Sequence, residues 1–203
     1  MSTSRLGAAP KPPSADDNAF KKELVTLIPH LRAFARTLTG DPTAADDLAQ
    51  DAMMKAWDAR ASYQMGTNMK AWTFMILRNQ FYSEKRRSWR QSQLDQEAAE
   101  RTLVAVDDPE APVALDELRQ ALKTLPEEQR EALILVGAGG FAYEEAAEIC
   151  GCAVGTVKSR VSRARRALLA TLEKGGYARD GKAAGQAMSA ILGEADRLSG
   201  SRN

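Results

Sequence analysis

Hydrophobic positions recur at helical spacing along most of the chain, and no segment shows the two-residue alternation of a strand. The first run starts near Asn18 and places Phe20, Leu24, Leu27, Ile28, Leu31 and Phe34 on one stripe. It predicts a helix to Leu38, ended by Gly40-Asp41-Pro42. Thr43 is the expected N-cap of a second helix, Ala44–Ala59. Arg60–Asn68 keeps no period and reads as a loop, and a long third helix is expected over Met69–Gln91. These three would pack around Leu24, Leu31, Phe34, Leu48, Ala52, Phe74, Leu77 and Phe81. Further on, a helix is expected from about Ala114 to Thr124. Pro126-Glu127-Glu128 starts another, with proline in the first turn and acids at the positive helix end. Gly137-Ala138-Gly139-Gly140 ends it.

The next stretch, Phe141–Leu168, reads as two short helices around a tight turn. Ala142, Ala146, Ala147 and Ile149 are the apolar set of the first, and Gly151 suits the left-handed residue that closes it, with the turn at Gly151–Ala153. In the second, Val154, Val157, Val161, Ala164 and Leu168 share a stripe at about 100° per residue. Gly155, Ser159, Ser162, Arg163 and Arg166 oppose them, with Lys158, Arg160 and Arg165 on the flanks. This is the pattern of a helix-turn-helix whose second helix lies in the DNA major groove. Arg163 can offer its guanidinium fork to guanine, Ser159 and Ser162 can bond base edges or phosphate, and Arg165 and Arg166 suit phosphates. An amphipathic helix with a merely solvated basic face is the competing reading. The glycine turn, the small leading residues and five cations without an acid between Lys158 and Arg166 favour DNA.

The formal net charge is only +1, which hides a segregation. Residues 61–92 carry about +5, residues 93–131 about −7 and residues 154–166 about +5. Two basic patches around an acidic stretch suggest two nucleic-acid contacts joined by a linker. The expected organisation is all-α: a Ser-, Ala- and Pro-rich disordered arm over residues 1–17, and one small helical domain over 18–91. A flexible acidic linker follows over 92–113, part-helical across 93–104, then a second helical domain over 114–174. The tail, 175–203, holds one weak helical pattern near Ala183–Leu198. No apolar run is long enough for a membrane span and no secretory signal is visible, so a cytoplasmic location is expected. Cys150 and Cys152 are the only cysteines, read as small packing residues, and His30 is the only histidine. With no metal constellation, nucleophile elbow or phosphate loop, neither an enzyme nor a cofactor is implied.

Two further faces invite partners. On the third helix Phe74, Leu77 and Phe81 point inward, while Trp72, Ile76, Asn79, Ser83, Arg86 and Arg90 form a second stripe. That stripe ends in Lys85-Arg86-Arg87-Ser88-Trp89-Arg90, and suits single-stranded bases on Trp72 with phosphates along the arginines. Trp72 fits a core position equally well. On the second helix Asp46, Asp47, Gln50, Asp51, Met54 and Trp57 lie beside the inner residues Leu48, Ala52 and Ala56. Acids with a methionine suit a protein surface better than DNA; Trp57 fits either that face or the core.

The whole layout resembles bacterial sigma factors of the extracytoplasmic-function (ECF) type, which have a region 2 and a region 4 domain. Asp46-Asp47-Leu48-Ala49-Gln50-Asp51 with Lys55-Ala56-Trp57 resembles the clamp-binding helix, and Trp72-Thr73-Phe74-Met75-Ile76-Leu77-Arg78-Asn79 the promoter-melting helix. Leu125-Pro126-Glu127-Glu128-Gln129-Arg130-Glu131 resembles the start of region 4, and Gly155-Thr156-Val157-Lys158-Ser159-Arg160 the start of its recognition helix. The match covers about residues 20–172. Ile28-Pro29-His30-Leu31-Arg32-Ala33-Phe34-Ala35 and Gly66-Thr67-Asn68-Met69-Lys70-Ala71-Trp72 are similar to the alphaproteobacterial subgroup that drives the general stress response.

The resemblance implies that Asp47, Gln50, Asp51 and Met54 meet the β′ clamp helices of core RNA polymerase, and that region 4 meets the β flap. It implies −10 contacts from Tyr63, Gln64, Thr67 and Asn68 around a flipped base, and from Trp72, Asn79, Ser83, Arg86, Arg87 and Arg90. It implies −35 contacts from Thr156, Lys158, Ser159, Ser162, Arg163, Arg165 and Arg166. It also implies a small NepR-like anti-sigma factor, released by a response regulator with a sigma-like decoy domain, and no membrane or small-molecule partner. Ser162 stands where relatives are often bulkier, and Tyr63–Asn68 is a variable loop in the family. Two other classes compete: a free-standing helix-turn-helix regulator, for which no effector pocket or dimer seam is visible, and a sigma-mimicking decoy, which can lose the basic residues this chain keeps.

Overall fold

The computed structural model describes residues 15–94, 118 and 120–174, and the described residues are helical apart from their connections. Helix α1 spans Ala15–Thr26 and α2 spans Ile28–Thr39. The single helix expected here is therefore two, and it starts at Ala15, inside what was expected to be the arm. Pro29 explains the break. Its ring has no N–H and would strike the carbonyl four residues back, so the chain turns at Leu27 and restarts with proline in the first turn. Gly40, at φ +73°, closes α2 by donating its N–H to Arg36 O at 3.0 Å.

Helix α3 is Pro42–Asp58, and its cap is Asp41 rather than Thr43. The Asp41 carboxylate accepts from Ala44 N at 2.7 Å, which leaves Pro42 at the first position, where a missing N–H costs nothing. A short 3-10 turn, Arg60–Ser62, leads into the loop before α4, Met69–Leu94. Leu24, Leu31, Phe34, Leu48, Ala52, Phe74 and Leu77 are buried as expected, with Phe34 and Phe74 stacked at 4.8 Å. Phe81 is only partly buried and sits at the edge. Trp57 is also partly buried, 6.2 Å from Phe20 with the Arg60 guanidinium over its ring.

Beyond α4, residues 120–123 are helical and Leu118, Ala121 and Leu125 are buried. Helix α5, Glu127–Gly137, begins directly after Pro126. Helix α6, Tyr143–Cys150, and α7, Val154–Lys174, are joined by Gly151 at φ +62°. Helices α1 to α4 form one body and α5 to α7 another, and α4 packs on α6 while α2 packs on α5. The buried apolar residues form one continuous cluster through both bodies. Most of the expected linker, and the tail helix near Ala183–Leu198, lie outside the described residues.

Candidate nucleic-acid interface

Helix α7 turns its apolar stripe inward as its period requires: Val157, Val161, Ala164 and Leu168 are buried. In α6, Ala146, Ala147 and Ile149 are buried, but Ala142 is exposed, because it precedes the helix as its N-cap residue. The opposite face of α7 is open. Lys158, Ser162, Arg163, Arg165 and Arg166 are exposed, and Thr156 and Ser159 are half-buried. Ser159 Oγ donates to Thr156 O and accepts from Arg163 Nη2 at 2.9 Å, so Arg163 is held along the helix axis. Lys158 Nζ lies 5.7 Å from the Tyr143 ring centre. Arg160 faces the other way, pairing with Glu128 and donating to Cys152 Sγ. Burial and the nearby Glu131 carboxylate push the Cys150 thiol up to about 12. Cys150 is therefore an inert packing residue at neutral pH.

On α4 the expected residues separate into three groups. Asn79 is exposed, Ser83 is half-buried, and both line a shallow groove of about 300 Å³ between α3 and α4, with Lys55, Ala59, Ile76 and Gln80. Arg86, Arg87 and Arg90 are exposed further along, and Arg86 Nη2 donates to Ser83 Oγ. Trp72 is half-buried, 5.0 Å from Tyr63 and 6.1 Å from Phe20. Its ring packs against these two aromatics, and part of it remains accessible. Lys55 was not expected in this group. It is the only cation lining the groove, and its place one helical turn after Asp51 was the available signal.

The loop ahead of α4 is built on Tyr63. The resemblance implied a −10 contact from this loop residue, which here is only 8% exposed. Its hydroxyl instead donates to Thr67 O at 2.7 Å, while Thr67 N–H and Oγ1–H both bond Gln64 O. Gly66, at φ +87°, makes the bend possible. Gln64, Thr67 and Asn68 are left exposed on a tied loop.

The acid-and-methionine face of α3 is open, with Asp47, Gln50 and Asp51 exposed and Met54 at 58%. Asp46 pairs instead with Arg32 across the body.

One feature escaped the sequence reading. Glu131 has no exposed surface, and Arg78 reaches it from α4 with Nε–Oε1 at 2.6 Å. Tyr82 adds a hydroxyl at 3.3 Å. Burial raises the Glu131 carboxyl above its usual range, opposed by Arg78 and Tyr82. Burial also pulls the Arg78 guanidinium down, but Glu131 outweighs it and the group stays charged. The signal was an acid one turn before buried Leu135, on the apolar face of α5.

Known proteins carry the same two parts. A model of sigma-70 region 2 matches residues 24–91 and a model of sigma-70 region 4 matches residues 115–168. The chain is 46% identical over 155 residues to the ECF RNA polymerase sigma factor EcfG of Rhodopseudomonas palustris strain TIE-1, covering 76% of this chain and 86% of that protein. It superposes on the sigma factor RpoE of Bartonella quintana, solved in complex with the anti-sigma factor NepR, with a TM-score of 0.69 and 47% identity. That match covers 77% of this chain and 98% of the other. CnrH, solved with the cytosolic domain of CnrY, matches at a TM-score of 0.57 and 25% identity over 79% of this chain and 91% of the other.

Proposed function

The chain belongs to the ECF RNA polymerase sigma factors, and from that membership we propose how its surfaces divide the work of starting transcription. The domains are assigned as region 2 over residues 18–91 and region 4 over residues 114–174, joined by the linker 92–113. Region 2 docks on core polymerase through Asp47, Gln50, Asp51 and Met54, an exposed acidic face that suits a protein partner. Asn79 and Ser83 in the α3–α4 groove take the −10 element, with Arg86, Arg87 and Arg90 on its phosphates and Trp72 flanking. Gln64, Thr67 and Asn68 present the pocket for an unpaired base, and Tyr63 holds that loop in shape. Region 4 reads the −35 duplex with Thr156, Lys158, Ser159, Ser162 and Arg163, while Arg165 and Arg166 fix its register on phosphates.

The observation that carries this reading is the outward row of α7, where small residues at the start give way to exposed arginines. The likeness to EcfG supports service in the general stress response, and the likeness to RpoE, solved with NepR, supports a NepR-like inhibitor. A cytoplasmic, non-catalytic role follows from the same reading. No described helix is long and apolar enough to cross a membrane. Run-off transcription with core polymerase tests the assignment. Lys158→Ala with Arg163→Ala is expected to abolish promoter use and leave polymerase binding intact; transcription that survives the pair places −35 reading elsewhere.

A further inference from the structure

Helix α4 meets the second body through a row of donors. Lys70 Nζ donates to Gly139 O at 2.8 Å, Arg78 and Tyr82 to Glu131, and Lys85 to Glu127. Just ahead of the helix, Asn68 Nδ2 donates to Glu145 Oε1 at 2.6 Å. Every group answering them from α5, α6 and their connection is an acceptor: three carboxylates and a carbonyl. In the middle of this row Phe74 and Phe141 meet edge to face at 5.0 Å. Within the second body Gly139 is itself fixed, since an added Cβ would stand 2.6 Å from Leu135 O and 2.9 Å from the Phe141 ring, so the carbonyl that receives Lys70 is held in place. A one-way polar seam around an aromatic contact is a matched surface, and every group it engages belongs to this chain.

We propose that region 4 closes on region 2 in the free protein, with Arg78 and Glu131 as the latch, and that the closed form withholds Asn68 from melted DNA. The second half of this inference rests on the assignment of Asn68 to the −10 loop. In the closed form Asn68, though exposed, has both ends of its amide bound within the chain, the oxygen accepting from Ala71 N and the nitrogen donating to Glu145. A buried ion pair suits a latch. Its net contribution is small, since both ions must shed water, but leaving either partner buried alone is strongly unfavourable. The seam is therefore either made as a whole or released as a whole, and both ions regain water on release. Polymerase or DNA would need only to outbid a reversible contact.

Small-angle scattering of the full chain, alone, reads closure directly. Wild type is expected to be compact, Arg78→Ala extended, and Arg78→Glu with Glu131→Arg compact again. Circular dichroism confirms that each variant is folded, and Lys70→Ala, which breaks the bond to Gly139, replaces Arg78→Ala if that variant does not fold. In run-off assays Arg78→Ala should reach half-maximal transcription at roughly tenfold lower chain concentration, a modest part of what an uncompensated buried charge forfeits. A wild-type chain as extended as Arg78→Ala overturns closure, as does a folded swap variant that stays open. An unchanged half-maximal concentration with clear opening overturns the withholding of Asn68. The two readings fail separately: wild-type run-off activity from an extended chain sinks the latch alone, and absent run-off from every variant sinks the sigma assignment of the surfaces.

Discussion

Asn68 caps α4 with its side-chain oxygen, 3.0 Å from Ala71 N, and with its nitrogen grips Glu145, whose other oxygen accepts from Ala142 N at the start of α6. Two helix N-termini from the two bodies thus share one bonded pair. Their positive ends face a single carboxylate, which favours the approach. Asn68→Ala should lose both functions and lower stability by about 1 kcal/mol through the cap. Asn68→Asp keeps an acceptor for Ala71 but sets a second carboxylate against Glu145. Hydrogen exchange at the Ala71 amide separates them: fast in the alanine variant, slow in wild type and the aspartate variant. Equal exchange in all three would show that the cap contributes nothing.

Tyr63→Phe keeps the ring against Phe20 and Trp72 and removes only the hydroxyl bond to Thr67 O. A net hydrogen bond of this kind contributes about 0.5–1.5 kcal/mol. The expected outcome is a loosened Gln64–Asn68 loop, with weaker initiation on duplex promoters, unchanged polymerase binding and a melting temperature about 2–4 °C lower. Full initiation activity in this variant would show that the loop needs no support from Tyr63.

His30 is the sole histidine, so a proton NMR titration reads it without ambiguity. Burial, then the neighbouring Lys70 charge, lowers its pKa below 6.5. The unfolded chain therefore takes up the proton first. The contribution of neutral His30 to stability is fully present above about pH 6.5 and is lost progressively as pH falls toward the folded value. A midpoint at or above 6.5 in the folded protein would contradict the burial of this ring beside Lys70.

At pH 8 the raised Cys150 pKa leaves about one part in ten thousand as thiolate. Alkylation of the native chain followed by mass mapping should modify Cys152, which is half-exposed, and reach Cys150 only after denaturation. Equal native labelling of both would mean that the α6 corner opens readily.

The recognition helix was legible because its information is local. The period that buries Val157, Val161, Ala164 and Leu168 also dictates which residues face out, and Gly151 marks the turn by its own geometry. Errors arose where one residue overrides the periodicity around it. Pro29 cut an apolar stripe that looks continuous, and Pro42 moved the cap of α3 back to Asp41. Tyr63 sits in a stretch without period, so its burial and its bond to Thr67 O had no local signal. Arg78 and Glu131 are a further case. They are 53 positions apart, and no local pattern pairs an arginine on one helix with an acid on another. What the sequence did show was an acid where the α5 stripe calls for an apolar residue, an anomaly that announces a partner without naming it.

Helix α4 carries three rows along one rod. Leu77 faces the core, Arg78 and Tyr82 face the second body, and Asn79 with Ser83 faces the open groove. A substitution in the second row can change how readily the molecule lets go of itself while leaving the third row untouched. If Asn79 and Ser83 read promoters and Arg78 latches the two bodies, as proposed, the threshold of response and the set of promoters addressed are separately adjustable quantities, written within a few turns of the same helix.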